Sequence, residues 1–547
     1  MAIREFLLIL ALSPTRLNIV VKSDSIFYAS TDYSIGAYST GPYQTFFSSN
    51  ATPVAFNFFQ PMNKSAGSLD SGYLFTSPRG TSTKVPGAYI FDNDGHLIWD
   101  ASSTYGETLV FQVETYKDEP LFLVWSGDLL GSGVGSGYIN LHDEFDWNNG
   151  IDARITTNNT GLMTAYFTRE ANPSLTAYGG PESGYLFDSV LQELNITSGE
   201  PLFTWYASDH VDPGECYNSI GTGGGSTDEA WDFFHINSIE KTEDGNFLIS
   251  SRHYYTLYYL DGITGEIIWR IGGANSSFSM GDGANFSWQH HARWITRNES
   301  YATMTLFDNA GEYGHYDETY SRGLYIGINF TDMSVSLLQD VTSPNRTVSE
   351  SQGSFQLQPN GNFLSGWGYM PWYAEHSSTG DLLWSAQFGV IGESNNEAYR
   401  ILRFNWTGTP TWSPSTSLIQ SSSSSLITIH VSWNGDTQTT HWELLDSSSS
   451  SPSRSESVLV SLYNQSRTGF ETTITFNTGN VNQGNGYEYY HAVRALSKDR
   501  NVLGISEYMK STTNGALSAI RDGCAGRWSQ IMGVLIVVGL MWGLQVV

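Results

Sequence analysis

The chain has 547 residues, 40% of them hydrophobic, enough to fill more than one core. It carries 54 acidic and 26 basic residues, a net charge of −28, which excludes nucleic acid and anionic surfaces as partners and requires any anion site to be locally basic. Two cysteines exclude a disulfide scaffold, while 14% aromatic residues and 55 glycines favour an all-β protein with many turns.

In chain order, residues 1–25 read as a weak signal peptide: Arg4 precedes an apolar run at 6–12, and no clean cleavage motif follows. Repetition then dominates. Gly-His-Leu-Ile-Trp ends at Trp99, Gly-Glu-Ile-Ile-Trp at Trp269, Gly-Asp-Leu-Leu-Trp at Trp384, and a looser copy at Trp205. The intervals are 106, 64 and 115 residues (205 − 99, 269 − 205, 384 − 269), which fit two, one and two units of the size of a four-stranded propeller blade. A turn phrase recurs in step, as Asp244-Gly245-Asn246 and Asn360-Gly361-Asn362. The span 50–410 is therefore expected to form a β-propeller of about six blades, with the repeat tryptophans as core between blades.

Two candidate chemical residues flank one of these turns. His235 and Arg252 bracket two alternating stretches joined at 243–246, so they are expected at matched ends of a hairpin. An imidazole and a guanidinium at one rim suit an anionic tetrahedral group, since Arg offers a rigid fork of donors and His can attack or carry a proton. Asn237 and His253 lie beside them; His290, Asn309 and Arg322 follow. The pair His290-His291 is a poor metal half-site, because successive strand residues point to opposite faces, and no metal is expected. Cys216 reads as a partly buried free thiol.

After 410 the texture changes. Serine-rich stretches at 413–425 and 447–457 alternate with β-like runs at 426–433, 439–445, 471–476 and 489–496. Residues 411–509 are expected to form a small fibronectin type III-like β-sandwich without chemistry. Residues 510–547 read as a linker and an apolar tail. The run at 531–547 is slightly short for a hydrocarbon core of ~30 Å. Small residues at Asn514, Gly515 and Ala516 precede it, the layout of a glycosylphosphatidylinositol signal with Asn514 as the lipid-anchor site; a tail anchor or single span is the alternative. Glycosylation sequons stand at Asn63, Asn158, Asn195, Asn275, Asn285, Asn298, Asn329, Asn345, Asn405 and Asn464.

These segments together resemble the arylsulfotransferase (arylsulfate sulfotransferase, ASST) family, in its eukaryotic branch. The resemblance is carried in order by Ser71-Gly72-Tyr73-Leu74-Phe75 with Pro86-Gly87, His235-Ile236-Asn237-Ser238-Ile239, Ser250-Ser251-Arg252-His253, Ile268-Trp269-Arg270 with Gly272-Gly273, Gln289-His290 with Ala292, Phe307-Asp308-Asn309, Ser321-Arg322 and Pro359-Asn360-Gly361-Asn362. It implies a six-bladed β-propeller. It also implies that His290 is a nucleophile taking a sulfuryl group from a phenolic sulfate ester, assisted by His235 and Arg252, with Asn237 nearby. Asn237, His253, Asn309 and Arg322 are the candidate substrate-binding residues; the alternative for Asp308-Asn309 and Ser321-Arg322 is that they brace loops or orient the residues that touch substrate. The sequence departs from the bacterial pattern in one respect: no histidine stands at 148–166 where a further active-site histidine is expected, and His142 is the nearest.

The function expected is a secreted, cell-surface-anchored arylsulfotransferase-like protein at the outer face of the plasma membrane or the cell wall. It would be a monomer joined to the membrane through the C-terminal lipid anchor or apolar tail. It would pass a sulfuryl group from a small phenolic sulfate donor to a phenol acceptor with no cofactor and no nucleotide sulfate donor, as no Gly-Lys-Ser/Thr phosphate loop is present. The alternative is a catalytically inactive propeller that binds glycans or cell-wall components through aromatic loops such as Tyr369-Met370-Pro371-Trp372-Tyr373.

Overall fold

The computed structural model describes residues 25–59, 67–130, 134–141, 145–148, 152–172, 174–392, 395–420, 426–447, 460–477 and 488–512. The expected signal peptide up to residue 24, Asn63, His142, Asn514 and the apolar tail lie outside these residues. Among the described residues no helix is long and apolar enough to cross a membrane.

The architecture is all-β. Six sheets, each built on four antiparallel strands, follow one another along the chain up to Phe404. In the second, third and fourth sheets the strands are taken in sequence order from the innermost outward; in the fifth and sixth the four main strands follow the same order, and short strands from upstream in the chain add to the outer edge. The fourth sheet shows the pattern: Ile236–Lys241, Phe247–Ser251, Thr256–Leu260 and Ile267–Gly272. Its second and third strands are buried at every position, with no polar-out alternation, because neighbouring sheets cover both faces. The interfaces close in a ring. Phe75, Ile90 and Val124 fill the gap between the first and second sheets, Leu191, Trp205 and Tyr258 that between the third and fourth, and Trp384, Phe91 and Ile401 that between the sixth and first.

Closure is made by Glu397–Phe404, which pairs antiparallel with Tyr73–Arg79 and becomes the innermost strand of the first sheet. No edge is left open along this joint, which removes a site for intermolecular strand pairing. The repeat tryptophans occupy the fourth strands of the first, third, fourth and sixth sheets, matching the expected spacing of two, one and two units. Trp205, Trp269 and Trp384 are buried. Trp99 is half-buried: its ring packs on Phe111 and Phe122 of the second sheet (5.6 and 5.0 Å between centroids) and its edge meets Gly435 beyond the ring of sheets. The two turn phrases join first to second strands in the fourth and sixth sheets, and Gly245 and Gly361 both take the left-handed backbone that such tight turns need (φ 88° and 89°).

Two features were not foreseen. The short strands Phe27–Tyr28 and Asn57–Phe58 extend the outer edge of the sixth sheet, so chain upstream of residue 50 joins the same body. The serine-rich stretch after 413 contains a strand, Ser415–Gln420, whose pairing with Leu426–Ser432 outweighs its composition. Beyond 410 a three-stranded sheet and a larger second sheet enclose Ile427, Ile429 and Ile474 on one side and Trp442, Leu444 and Val493 on the other, a β-sandwich. It is bound to the ring of sheets: Glu471 accepts from the main-chain N–H of Phe47 and Ser48 (2.8 and 2.6 Å), and Asn434 exchanges two hydrogen bonds with the Asp100 backbone (2.8 and 2.9 Å).

Candidate active site

The inner strands begin at one rim of the central channel, and their backbone there is unusual. His235 immediately precedes Ile236–Lys241 with φ 54°, Trp288 stands two residues before His290–Arg297 with φ 54°, and Gln352 stands two before Ser354–Leu357 with φ 63°. Left-handed conformations at non-glycine residues cost of order 1–3 kcal/mol each and persist where surrounding packing over-determines them, often at functional sites. Here they turn side chains onto a common rim.

His235 and Arg252 lie opposite each other at the open end of their hairpin, as the sequence suggests: Ile236 pairs with Ser251, and the Arg252 N–H donates to the His235 carbonyl (3.0 Å). Arg252 is buried and highly engaged. Its Nη1 donates to Glu312 Oε1 (2.8 Å) and to His253 Nε2 (3.1 Å), its Nη2 donates to the Glu350 carbonyl (2.8 Å), and the guanidinium lies 5.0 Å over the Trp288 ring. Its Nε is buried without a partner.

His290 is fixed by the fifth and sixth sheets. Asn309 donates its Nδ2 hydrogens to the carbonyls of Ser349 and Gln352 (2.8 and 2.9 Å). Its Oδ1 can therefore only accept, and His290 Nδ1 donates to it (2.7 Å). This places the lone pair on His290 Nε2, whose one partner is the Gln352 main-chain N–H at a long 3.3 Å. Burial first, then the Arg252 charge, hold the His290 pKa well below its usual range, so the ring is neutral at neutral pH. Arg252 and His290 both bind the segment 350–352, two residues apart, so guanidinium and imidazole converge. His235 also lies within electrostatic reach of His290.

The other expected residues divide. His253 does not face the rim: Nδ1 donates to the Asp232 carbonyl (2.7 Å), Nε2 accepts from Arg252, and burial lowers its pKa to about 3. Asn237 is a buried brace, with Nδ2 donating to the Gln289 carbonyl (2.6 Å) and its own carbonyl accepting from Arg400 (3.1 Å). Arg322 is joined to Asp308 (3.1 Å) and the Asn285 carbonyl (2.9 Å), and no hydrogen bond links it to His290 or Arg252. His291 packs against the Phe355 backbone (3.2 Å), on a different partner from His290. Cys216 is a half-buried free thiol. Of the sequons, Asn158, Asn195, Asn275, Asn285, Asn298, Asn345, Asn405 and Asn464 are exposed and Asn329 is half-buried. In the aromatic loop at 369–373, Trp372 and Tyr373 are core residues.

Several residues of the site carry no sequence signal. Tyr399 and Arg400 come from the closing strand; the Tyr399 ring lies 6.2 Å edge-on to His290, and Arg400 pairs with buried Asp152 (2.7 Å). Glu312 belongs to the hairpin Gly311–Glu312 and His315–Tyr316, which leans over Arg252; Tyr316 also donates to Glu350 Oε1 (2.5 Å). Beside this hairpin lies an open cleft of ≈ 610 Å³ lined by Tyr316, Thr347, Val348 and Met370. Asp232 precedes His235 by three residues and bonds to it. Among the described residues Asp232, His235 and His253 are close enough for a metal ion, as are Asp92, Asp94 and His96. In the first group both Nδ1 atoms are already hydrogen-bonded and the Arg252 cation adjoins, which disfavours a further cation.

No curated protein matches the chain in sequence. Among solved structures, similarity is found to a Bacteroides caccae protein described as of unknown function (11% identity, 60% of this chain and 98% of that one, TM-score 0.34). It is also found to a Lactobacillus plantarum protein (11%, 62% and 100%, TM-score 0.32) and to the β-propeller domain of Myceliophteria thermophila Cps50 (Swd1) (12%, 57% and 86%, TM-score 0.28). The arylsulfotransferase (ASST) family matches residues 152–389, the stretch from Asp152 through the sixth sheet. His235, Arg252, His290 and Asn309 all lie inside this stretch, and the chain thus carries a domain of the arylsulfotransferase (ASST) family.

Proposed function

We propose that this protein transfers a sulfuryl group from a phenolic sulfate ester to a phenolic acceptor, with His290 as nucleophile. The observation that carries the reading is the set tautomer of His290: Asn309 holds Nδ1–H, and the Nε2 lone pair of a neutral ring, met only by the long Gln352 N–H contact (3.3 Å), is the nucleophile toward sulfur. Sulfuryl transfer resembles phosphoryl transfer, with an in-line, loose transition state and charge on the non-bridging and leaving oxygens. Arg252 supplies the cation for those oxygens, and His235 is the acid and base for the aryl oxide and the acceptor phenol. The donor is an aryl sulfate and the acceptor a phenol in keeping with the family.

The protein acts outside the cell, anchored at its surface, and carries glycans at its exposed sequons. The exposure of eight of the sequon asparagines supports this.

The test is incubation of the purified chain with 4-nitrophenyl sulfate, with and without phenol. Aryl oxide release should accelerate with the acceptor and show ping-pong kinetics, and peptide mapping should find the sulfuryl group on His290. His290→Ala should abolish both. Near-normal turnover by His290→Ala would overturn the reading in favour of a binding propeller.

A further inference from the structure

His235 is presented to the rim by a left-handed backbone and held by one carboxylate. Asp232 Oδ2 lies 2.5 Å from His235 Nδ1. The carboxylate is nearly enclosed, and its other oxygen, Oδ1, is buried with no partner. The charge of Asp232 is therefore answered chiefly by the His235 ring, with the more distant His253 ring and Arg252 around it. The Asp232 backbone is fixed as well, since its carbonyl accepts from His253 Nδ1 (2.7 Å) and from Asn218 Nδ2 (3.0 Å). His235 Nε2 has no hydrogen-bond partner among the described residues, and its side chain is 12% exposed at the rim. One nitrogen is thus tied inward and the other faces out.

We propose that Asp232 is a positioning residue for the reaction: it holds His235 as the Nδ1–H tautomer, aims Nε2 at the phenolic oxygen, and stabilises the imidazolium that the proton shuttle requires. This rests on the sulfuryl-transfer reading above. In the first half-reaction the S–O(aryl) bond breaks as His290 Nε2 bonds to sulfur, and the His235 imidazolium gives its Nε2 proton to the departing oxide. In the second, the acceptor phenol returns a proton to His235 Nε2 as its oxygen attacks sulfur and the N–S bond breaks. Protons and bonds balance over the cycle, and Asp232 stays ionised throughout. Burial opposes that ionised state, but His235, His253 and Arg252 outweigh it and hold the carboxyl below its usual range.

The experiment is a single-turnover measurement of aryl oxide release by the full-length protein, wild type and Asp232→Asn, with two donors. Phenyl sulfate needs a proton on its leaving oxygen; 4-nitrophenyl sulfate does not. General acid catalysis contributes about 10²–10⁴-fold, so Asp232→Asn should lose roughly 100-fold or more with phenyl sulfate and under about tenfold with 4-nitrophenyl sulfate, at little change in KM. Equal losses with both donors would mean a merely structural role and would overturn the proposal. So would near-normal rates with both donors while a sulfuryl group still forms on His290, an outcome that leaves the transfer reading intact. Absence of that group in the wild type would remove the transfer reading itself. Loss of wild-type activity on chelation, restored by zinc, would make Asp232 a metal ligand instead. Should Asp232→Asn fail to fold, the nitrogen spectrum of the wild type, followed as the His235 ring is titrated to its neutral form, decides: the proton that remains is expected on Nδ1, and one that remains on Nε2 would refute the assignment.

Discussion

Asp152→Asn should weaken the whole ring of sheets. Asp152 has no exposed surface; it accepts from Arg400 of the closing strand (2.7 Å), from Arg293 of the fifth sheet (3.1 Å) and from the Ile239 N–H of the fourth (3.1 Å). One carboxylate from the third sheet therefore ties three others across the channel. Burial alone would raise its pKa, but Arg400 and Arg293 outweigh burial and bring it from 3.8 to about 2. A folded-state pKa below the unfolded one contributes stability that is present above pH ~4 and is lost as the pH falls through about 2, here roughly 2 kcal/mol. The amide keeps the shape but leaves two buried guanidinium groups facing each other, a loss of about 3–5 kcal/mol when one partner of a buried pair is removed. Urea unfolding at neutral pH should show the variant less stable by that amount. The double variant Asp152→Asn/Arg400→Met should recover part of it, because the uncompensated charge is reduced. A loss under about 1 kcal/mol would refute the idea that this carboxylate holds the ring closed.

Three other outcomes are expected. Glu312→Gln should lower KM for an aryl sulfate several-fold, because the Glu312 carboxylate occupies the face of Arg252 that an incoming sulfate needs; a raised KM would show that Glu312 aids binding. Arg252→Met should raise the His290 pKa, read from its imidazole resonances, because the cation is, after burial, the largest influence holding it down. As neutral imidazole is the nucleophile, the wild type should keep its activity as the pH falls below 6.5, and the variant should lose it at higher pH. Protein made in a secreting eukaryotic cell should lose mass on enzymatic deglycosylation and leave the membrane on treatment with a phosphatidylinositol-specific phospholipase; a spanning tail would resist release.

The sequence alone determined whatever repeats locally. The tryptophans at 99, 205, 269 and 384 recur because each fourth strand needs a large apolar residue between sheets, and the glycines at 245 and 361 recur because each tight turn needs a left-handed residue. The hairpin linking His235 to Arg252 was legible for the same reason: strand alternation and a turn fix which ends meet. Only the tertiary structure decided the rest. Asp152 and Arg400 meet across 248 residues, and Tyr73–Arg79 finds its partner only when the chain returns at Glu397–Phe404; neither contact leaves a periodic trace in composition. Asn309 on His290, Glu312 on Arg252 and Asp232 on His235 use residue types common at any surface. What distinguishes them is burial and the donors left within reach after the backbone is satisfied, and both depend on how six sheets converge on one channel.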